Sequence, residues 1–318
     1  MAAIKTQECF ASHGLKHNVT KTHGGSEVHS YTSDLGSDSA ILTLIHGWPQ
    51  SAYEWRYLVP LLNNKISLFV PELPGYGIST PQKQNDKGAI GATLLEALVG
   101  VFGPNRRVIL GGHDRGGHIC HRLAVDVDRY PIKALGTIIL EVVPISVQWR
   151  VCNNPKVASQ LFHWPFMANV ETAVGMIQSY GAAKWIRSAN ERVAGPSEIG
   201  KARVAADNAN DIYAELLSSE EATRYTCEDY RAGAQEDVTE EESDQQAGRK
   251  INIPTLVVYS KSRFGDTMDC EAEWREWVAD GVDYECVGVG DERGHYLPEE
   301  AYEVIDELMT KFVNKLAP

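Results

Sequence analysis

The stretch Gly112-His113-Asp114-Arg115-Gly116 follows the apolar run RVIL and precedes HICHRLAVDV. A strand, a sharp turn and a helix in that order hold the central side chain in a strained, exposed pose. Glycines two before and two after remove the Cβ atoms that would block the turn. A serine at such a turn attacks carbonyl carbon. An aspartate is already ionised at neutral pH and can displace a leaving group from saturated carbon, forming an ester whose carbonyl belongs to the enzyme. No G-x-S-x-G occurs elsewhere in the chain. The plainer role for Asp114 is to cap the helix that follows it.

Two further motifs suit the same chemistry. In LIHGWPQS (44–51), His46-Gly47-Trp48-Pro49 ends another apolar run, and the backbone N–H of Trp48, with that of Arg115, is expected to meet a developing oxyanion. In GDERGHYLPEE (290–300), His295 lies in a loop between the last strand, YECVGV, and the last helix, where a general base can reach a turn at the sheet edge. Two acids can orient that base: Glu141, ending GTIILE, and Asp266, after VVYSKSRFG. Glu141 is preferred, because Asp266 stands several residues beyond its strand.

The elements that position these residues read as α/β. Short apolar runs recur at 40–47, 66–73, 107–113, 137–143 and 255–260 with helical patterns between them, predicting a mostly parallel, eight-stranded sheet with helices on both faces. GLKHNVTKT and EVHSYTSDLG precede them as antiparallel strands. The strand pattern stops near residue 147 and resumes at Ile253. The organisation expected is a core over 1–146, an inserted helical cap over 147–246 and a second core portion over 247–318. The acidic run QEDVTEEESDQQ (235–246) is expected to be a solvated connection from cap to core.

Composition bounds the partners. Thirty basic against 43 acidic side chains leave a formal charge of −13, which opposes nucleic acid and anionic membranes and leaves a small molecule as the expected ligand. The six scattered cysteines form no CxxC pair, so reduced thiols are expected. The N-terminal MAAIKTQECFASHGLK lacks an apolar signal core, and no run approaches the roughly 20 apolar residues of a membrane span, which places the protein in the cytosol.

In their order, LIHGWPQS, PELPGYG (71–77), GGHDRGG, HW (163–164), CEDYRAGA (227–234) and GHYLPEE (294–300) resemble the α/β-hydrolase superfamily, and within it the fluoroacetate (haloacetate) dehalogenases. The likeness runs from about residue 40 to the C-terminus. The turn and oxyanion motifs are shared with epoxide hydrolases and haloalkane dehalogenases; HW with CEDYRAGA points to the haloacetate branch. The resemblance implies Asp114 as nucleophile, His295 as base and Glu141 as acid. It implies a halide pocket of His163, Trp164 and Tyr230, with Arg115 gripping the substrate carboxylate. It also implies no cofactor and a homodimer formed through the cap. Two positions depart from the family: Glu141 stands where it has aspartate, and His118 where it has a second arginine. A histidine cannot supply a bidentate fork. Without that resemblance, HW and Tyr230 read as packing aromatics of the cap.

Three rival readings have other residues to lean on. An epoxide hydrolase would use the same nucleophile with His163 and Tyr230 protonating the epoxide oxygen. A metalloenzyme would use His113, His118 and His121 beside Asp114. A catalytically silent hydrolase fold would serve as a receptor or scaffold.

Overall fold

The computed structural model describes residues 1–265 and 268–317. Among them eight strands form one sheet: β1 (Lys16–Lys21), β2 (Glu27–Ser33), β3 (Ile41–Thr43), β4 (Ser67–Pro71), β5 (Arg107–His113), β6 (Lys133–Leu140), β7 (Thr255–Ser260) and β8 (Tyr284–Val289). Their spatial order is β1-β2-β4-β3-β5-β6-β7-β8. β2 pairs antiparallel with β1 and with β4, and every pairing from β4 to β8 is parallel.

β5 shows why the sheet needs two cores. Val108, Ile109 and Leu110 are all fully buried, as a parallel strand covered on both faces requires. Val108 and Leu110 belong to one apolar cluster, with Leu94 and Leu98 of the helix Lys87–Phe102 and with Ile119 and Leu123 of the helix Arg115–Val125. Ile109 belongs to the opposite cluster, with Trp55 and with Ile305 and Met309 of the helix Tyr302–Leu316. The Lys87–Phe102 helix is delimited by its own chemistry: the Asp86 side chain accepts from the Ala89 N–H, and Gly103 leaves at φ 82°.

Between β6 and β7 the chain is built of helices from Ile145 to Ala247. The acidic run corrects one expectation. It is not a solvated connection: Glu236–Ala247 is a helix that buries Asp237, Glu241 and Asp244 along one face. Asp237 accepts from the Lys87 N–H at 2.8 Å. Glu241 accepts from the Ile145 and Ser146 N–H groups at 3.1 and 2.8 Å and lies 3.3 Å from His121 Nδ1. Asp244 pairs with Arg122 and Arg249. Composition alone suggests a wet surface, but buried cations on the core demand counter-charges, and this face supplies them. No helix of the described residues is long and apolar enough to cross a membrane.

Candidate active site

Asp114 adopts φ 50°, ψ −117°, between β5 and the Arg115–Val125 helix. That conformation is costly for a residue with a side chain, and close packing holds it in place. A Cβ on Gly116 would lie 1.9 Å from the Ile45 carbonyl oxygen, and one on Gly112 would lie 2.3 Å from the Gly116 carbonyl oxygen. The two glycines of the motif thus permit contact of backbone with backbone on either side of Asp114.

The two carboxylate oxygens of Asp114 have different surroundings. Oδ1 accepts from the Trp48 N–H at 2.8 Å. Oδ2 lies 3.3 Å from His295 Nε2. The second expected oxyanion donor, the Arg115 N–H, belongs to the first turn of the helix, where N–H groups have no intrahelical partner. Gly47 lets the Trp48 loop approach: a Cβ there would lie 2.5 Å from Asp114 Oδ1 and 2.9 Å from the Arg115 nitrogen. His46 pins that loop, Nδ1 donating to the Gly47 carbonyl at 3.1 Å and Nε2 accepting from the Leu73 N–H at 3.0 Å. Burial works against the Asp114 carboxylate, but the hydrogen bond and charge of His295, with the charges of Arg115 and His113, hold it well below the usual carboxyl range.

On the far side of His295, Nδ1 lies 3.9 Å from Glu141 Oε1, a charge-to-charge distance longer than a hydrogen bond. Glu141 follows β6 at φ 59°, and its Oε2 accepts from the Ser260 N–H at 2.5 Å. Arg263 Nε stands 3.7 Å from Oε1. Asp266, the alternative acid, lies outside the described residues.

One supporting residue was not singled out for this task by its motif. His113 Nε2 donates to the His295 carbonyl at 2.7 Å while Nδ1 faces Glu54 Oε2 at 3.2 Å, both groups fully buried. Burial disfavours its imidazolium, but the charge and hydrogen bond of Glu54, then the Asp114 charge, raise it to about 9. A protonated His113 therefore steadies the loop that carries His295. Glu54 is 59 residues away in the chain, so nothing local in the sequence foretold the pair.

These groups share one small cavity; Trp48, Asp114, Glu141, His163, Trp164, Tyr230 and His295 all line it. The aromatic walls brace one another. His163 stacks on Trp48 at 5.5 Å and 16°, while Tyr230 stands edge-on to Trp48, His163 and Trp164 at 5.6, 5.7 and 5.6 Å. Burial, followed by the charges of Arg192, Arg263 and Arg115, pushes His163 well below its ordinary range, so its ring is neutral and carries one N–H.

Arg115 and His118 are not brought to that wall. The Arg115 guanidinium carbon lies 3.6 Å from the Tyr230 ring centre and 4.5 Å from that of Trp164, with Nε 3.6 Å from Asp229 Oδ2. His118 Nε2 donates to the Val143 carbonyl at 3.0 Å, and burial with the Arg115 charge lowers its pKa to about 3. The turn at Asp114 accounts for this: it throws one side chain into the cavity and starts a helix whose next residues point beneath the aromatic wall. The arginine that lines the cavity is Arg263. The proposed metal cluster is dispersed too, since His113, His118 and His121 serve Glu54, Val143 and Glu241. Among the described residues no group of three or more His, Cys, Asp or Glu side chains could hold a metal ion.

The sheet, the helical insertion after β6 and the grouping of Asp114, His295 and Glu141 at the strand ends have the form of a hydrolase with a nucleophile elbow. The chain belongs to the alpha/beta hydrolase family, which it matches over residues 44–307. It is 28% identical over 293 residues to a soluble epoxide hydrolase of Corynebacterium sp. (strain C12), covering 91% of this chain and 94% of that one. It is 27% identical over 232 residues to a fluoroacetate dehalogenase of a Burkholderia species, covering 70% and 71%. Among solved structures, ALR0039 of Nostoc sp. PCC 7120 superposes with a TM-score of 0.83 at 25% identity, covering 96% of this chain and 99% of that one. The epoxide hydrolase CorEH gives 0.79 at 25% identity, covering 95% and 99%.

Proposed function

We propose that the protein hydrolyses a carbon–halogen bond of a small haloacid through an ester on Asp114. The observation that carries the reading is the shared cavity: His163, Trp164 and Tyr230 line the same small space as Asp114 and His295. In the first step Asp114 Oδ2 displaces halide from the substrate carbon, and the halide departs toward donors from the three rings. A fluoride is costly to desolvate, and each preorganised donor is worth a few kcal/mol to it. In the second step His295 takes a proton from water as the water attacks the Asp114 carbonyl carbon. The oxyanion develops on Oδ1, against the N–H groups of Trp48 and Arg115. Collapse releases a 2-hydroxy acid that takes Oδ2 with it, and His295 returns the proton to the leaving oxygen. Glu141 stabilises the imidazolium between those events.

A second reading keeps the nucleophile and changes the substrate. In an epoxide hydrolase, His163 and Tyr230 would protonate the ring oxygen as Asp114 opens the epoxide. The position of Arg115 and His118 away from the cavity wall favours it, because an epoxide has no carboxylate to clamp. The relatives support both readings, one being an epoxide hydrolase and the other a fluoroacetate dehalogenase.

The two separate on their products. Purified protein is incubated with fluoroacetate, chloroacetate and styrene oxide, with Asp114→Asn as the blank. Halide from the acids establishes the dehalogenase, diol from the epoxide establishes the alternative, and neither product from folded protein overturns both.

A further inference from the structure

We propose that Arg115 serves the departing anion and not the substrate carboxylate, acting through the rings of Tyr230 and Trp164 as a positioning residue. The inference rests on the proposed reading of His163, Trp164 and Tyr230 as the receivers of that anion. Its ground is geometric. The guanidinium is fully buried behind the aromatic wall, 3.6 Å from one ring centre and 4.5 Å from the other, and the two rings meet edge to face at 88°. One cation thus underlies both rings. Its nearest acid, Asp229, is shared: the same carboxylate pairs with Lys87 and accepts from the Tyr76 hydroxyl at 2.9 Å, while Lys87 in turn reaches Asp237. Asp229 therefore anchors Arg115 without being devoted to it.

A cation against a ring draws electron density from the face and makes the O–H or N–H at the rim a better donor. Both residues line the cavity that holds Asp114. The effect grows as negative charge appears on the leaving group, so it favours the displacement step over the binding of substrate. It also holds for any leaving anion, halide or epoxide oxygen, whether or not the substrate carries a carboxylate. A guanidinium gripping a carboxylate would help acids alone.

The test compares the unaltered protein with Arg115→Gln and Arg115→Lys. Bromide binding to the resting protein, followed by quenching of tryptophan fluorescence, is expected to weaken roughly tenfold or more in the glutamine variant and largely to recover in the lysine variant. In turnover, kcat is expected to fall by a similar factor for chloroacetate and for neutral chloroacetamide, with KM within about twofold. In a Tyr230→Phe, Trp164→Phe background the loss on replacing Arg115 should vanish. Should Arg115→Gln fail to fold, Arg115→Gln with Asp229→Asn removes one charge of each sign and serves in its place. Unchanged bromide affinity, no bromide response in the unaltered protein, or a loss confined to chloroacetate overturns the inference. Failure of the underlying hydrolase reading shows separately, as absence of the Asp114 ester.

Discussion

The Trp48 amide nitrogen lies 2.8 Å from Asp114 Oδ1, so one oxygen of the carboxylate already occupies the place where the oxyanion of ester hydrolysis would develop. The other oxygen, Oδ2, faces His295 and the cavity. A symmetric side chain has been made asymmetric by one backbone donor, and the two steps of an ester mechanism map onto its two oxygens.

Removing the base should stop the cycle halfway. With His295→Gln, chloroacetate or an epoxide is expected to alkylate Asp114 to its ester without turnover, and the intact mass of the protein should rise by that of the bound group. Peptide mapping that finds the added mass anywhere but Asp114 would remove it as nucleophile.

Gly47→Ala should separate folding from catalysis. Its Cβ would meet Asp114 Cβ at 2.4 Å and Oδ1 at 2.5 Å, so the carboxylate must move. We expect activity to fall on the order of a hundredfold, with a stability cost of about 1 to 3 kcal/mol. Denaturant unfolding and kcat/KM together check it; full activity would mean that the loop has room this packing does not show.

The buried acid face of the Glu236–Ala247 helix should make stability sensitive to acid. Burial raises the Glu241 carboxyl, but hydrogen bonds from His121 and the Ser146 N–H, with the His121 charge, outweigh it and lower the pKa to about 2. A pKa depressed in the fold contributes stability above the unfolded value, near 4.5, and loses it as pH falls toward 2. Glu241→Gln should therefore flatten the stability curve between about pH 5 and pH 2, by on the order of 2 to 3 kcal/mol. Equal slopes in urea melts of the two proteins across that window would refute it.

His113 carries the opposite sign. Raised to about 9 in the fold, it contributes stability that is complete below its ordinary value of 6.5 and lost as pH climbs through 9. Glu54→Gln should remove that alkaline decline and loosen the His295 loop. Thermal melting from pH 6 to pH 10 measures the first effect, and a lowered kcat at pH 7 the second.

How far the sequence reached follows from the range of its signals. The elbow was legible because glycines at fixed offsets around Asp114 report a local backbone demand, and the parallel sheet because its apolar runs are short and regularly spaced. The acidic run misled because composition says nothing about which face of a helix is buried. Charges at 237, 241 and 244 look solvated until Lys87, His121 and Arg122 are brought against them.

What the sequence by itself determined, then, is the α/β architecture and the identity of the groups able to do chemistry at the strand ends. Tertiary structure decided which of them share a cavity. It brought His163, Trp164 and Tyr230 to Asp114, sent Arg115 behind their rings, and gave His118 to a backbone carbonyl. Spacing along one helix fixes only the direction in which a side chain starts; what it meets is set by packing from other elements, whether the carbonyl of Val143 or the ring of Tyr230.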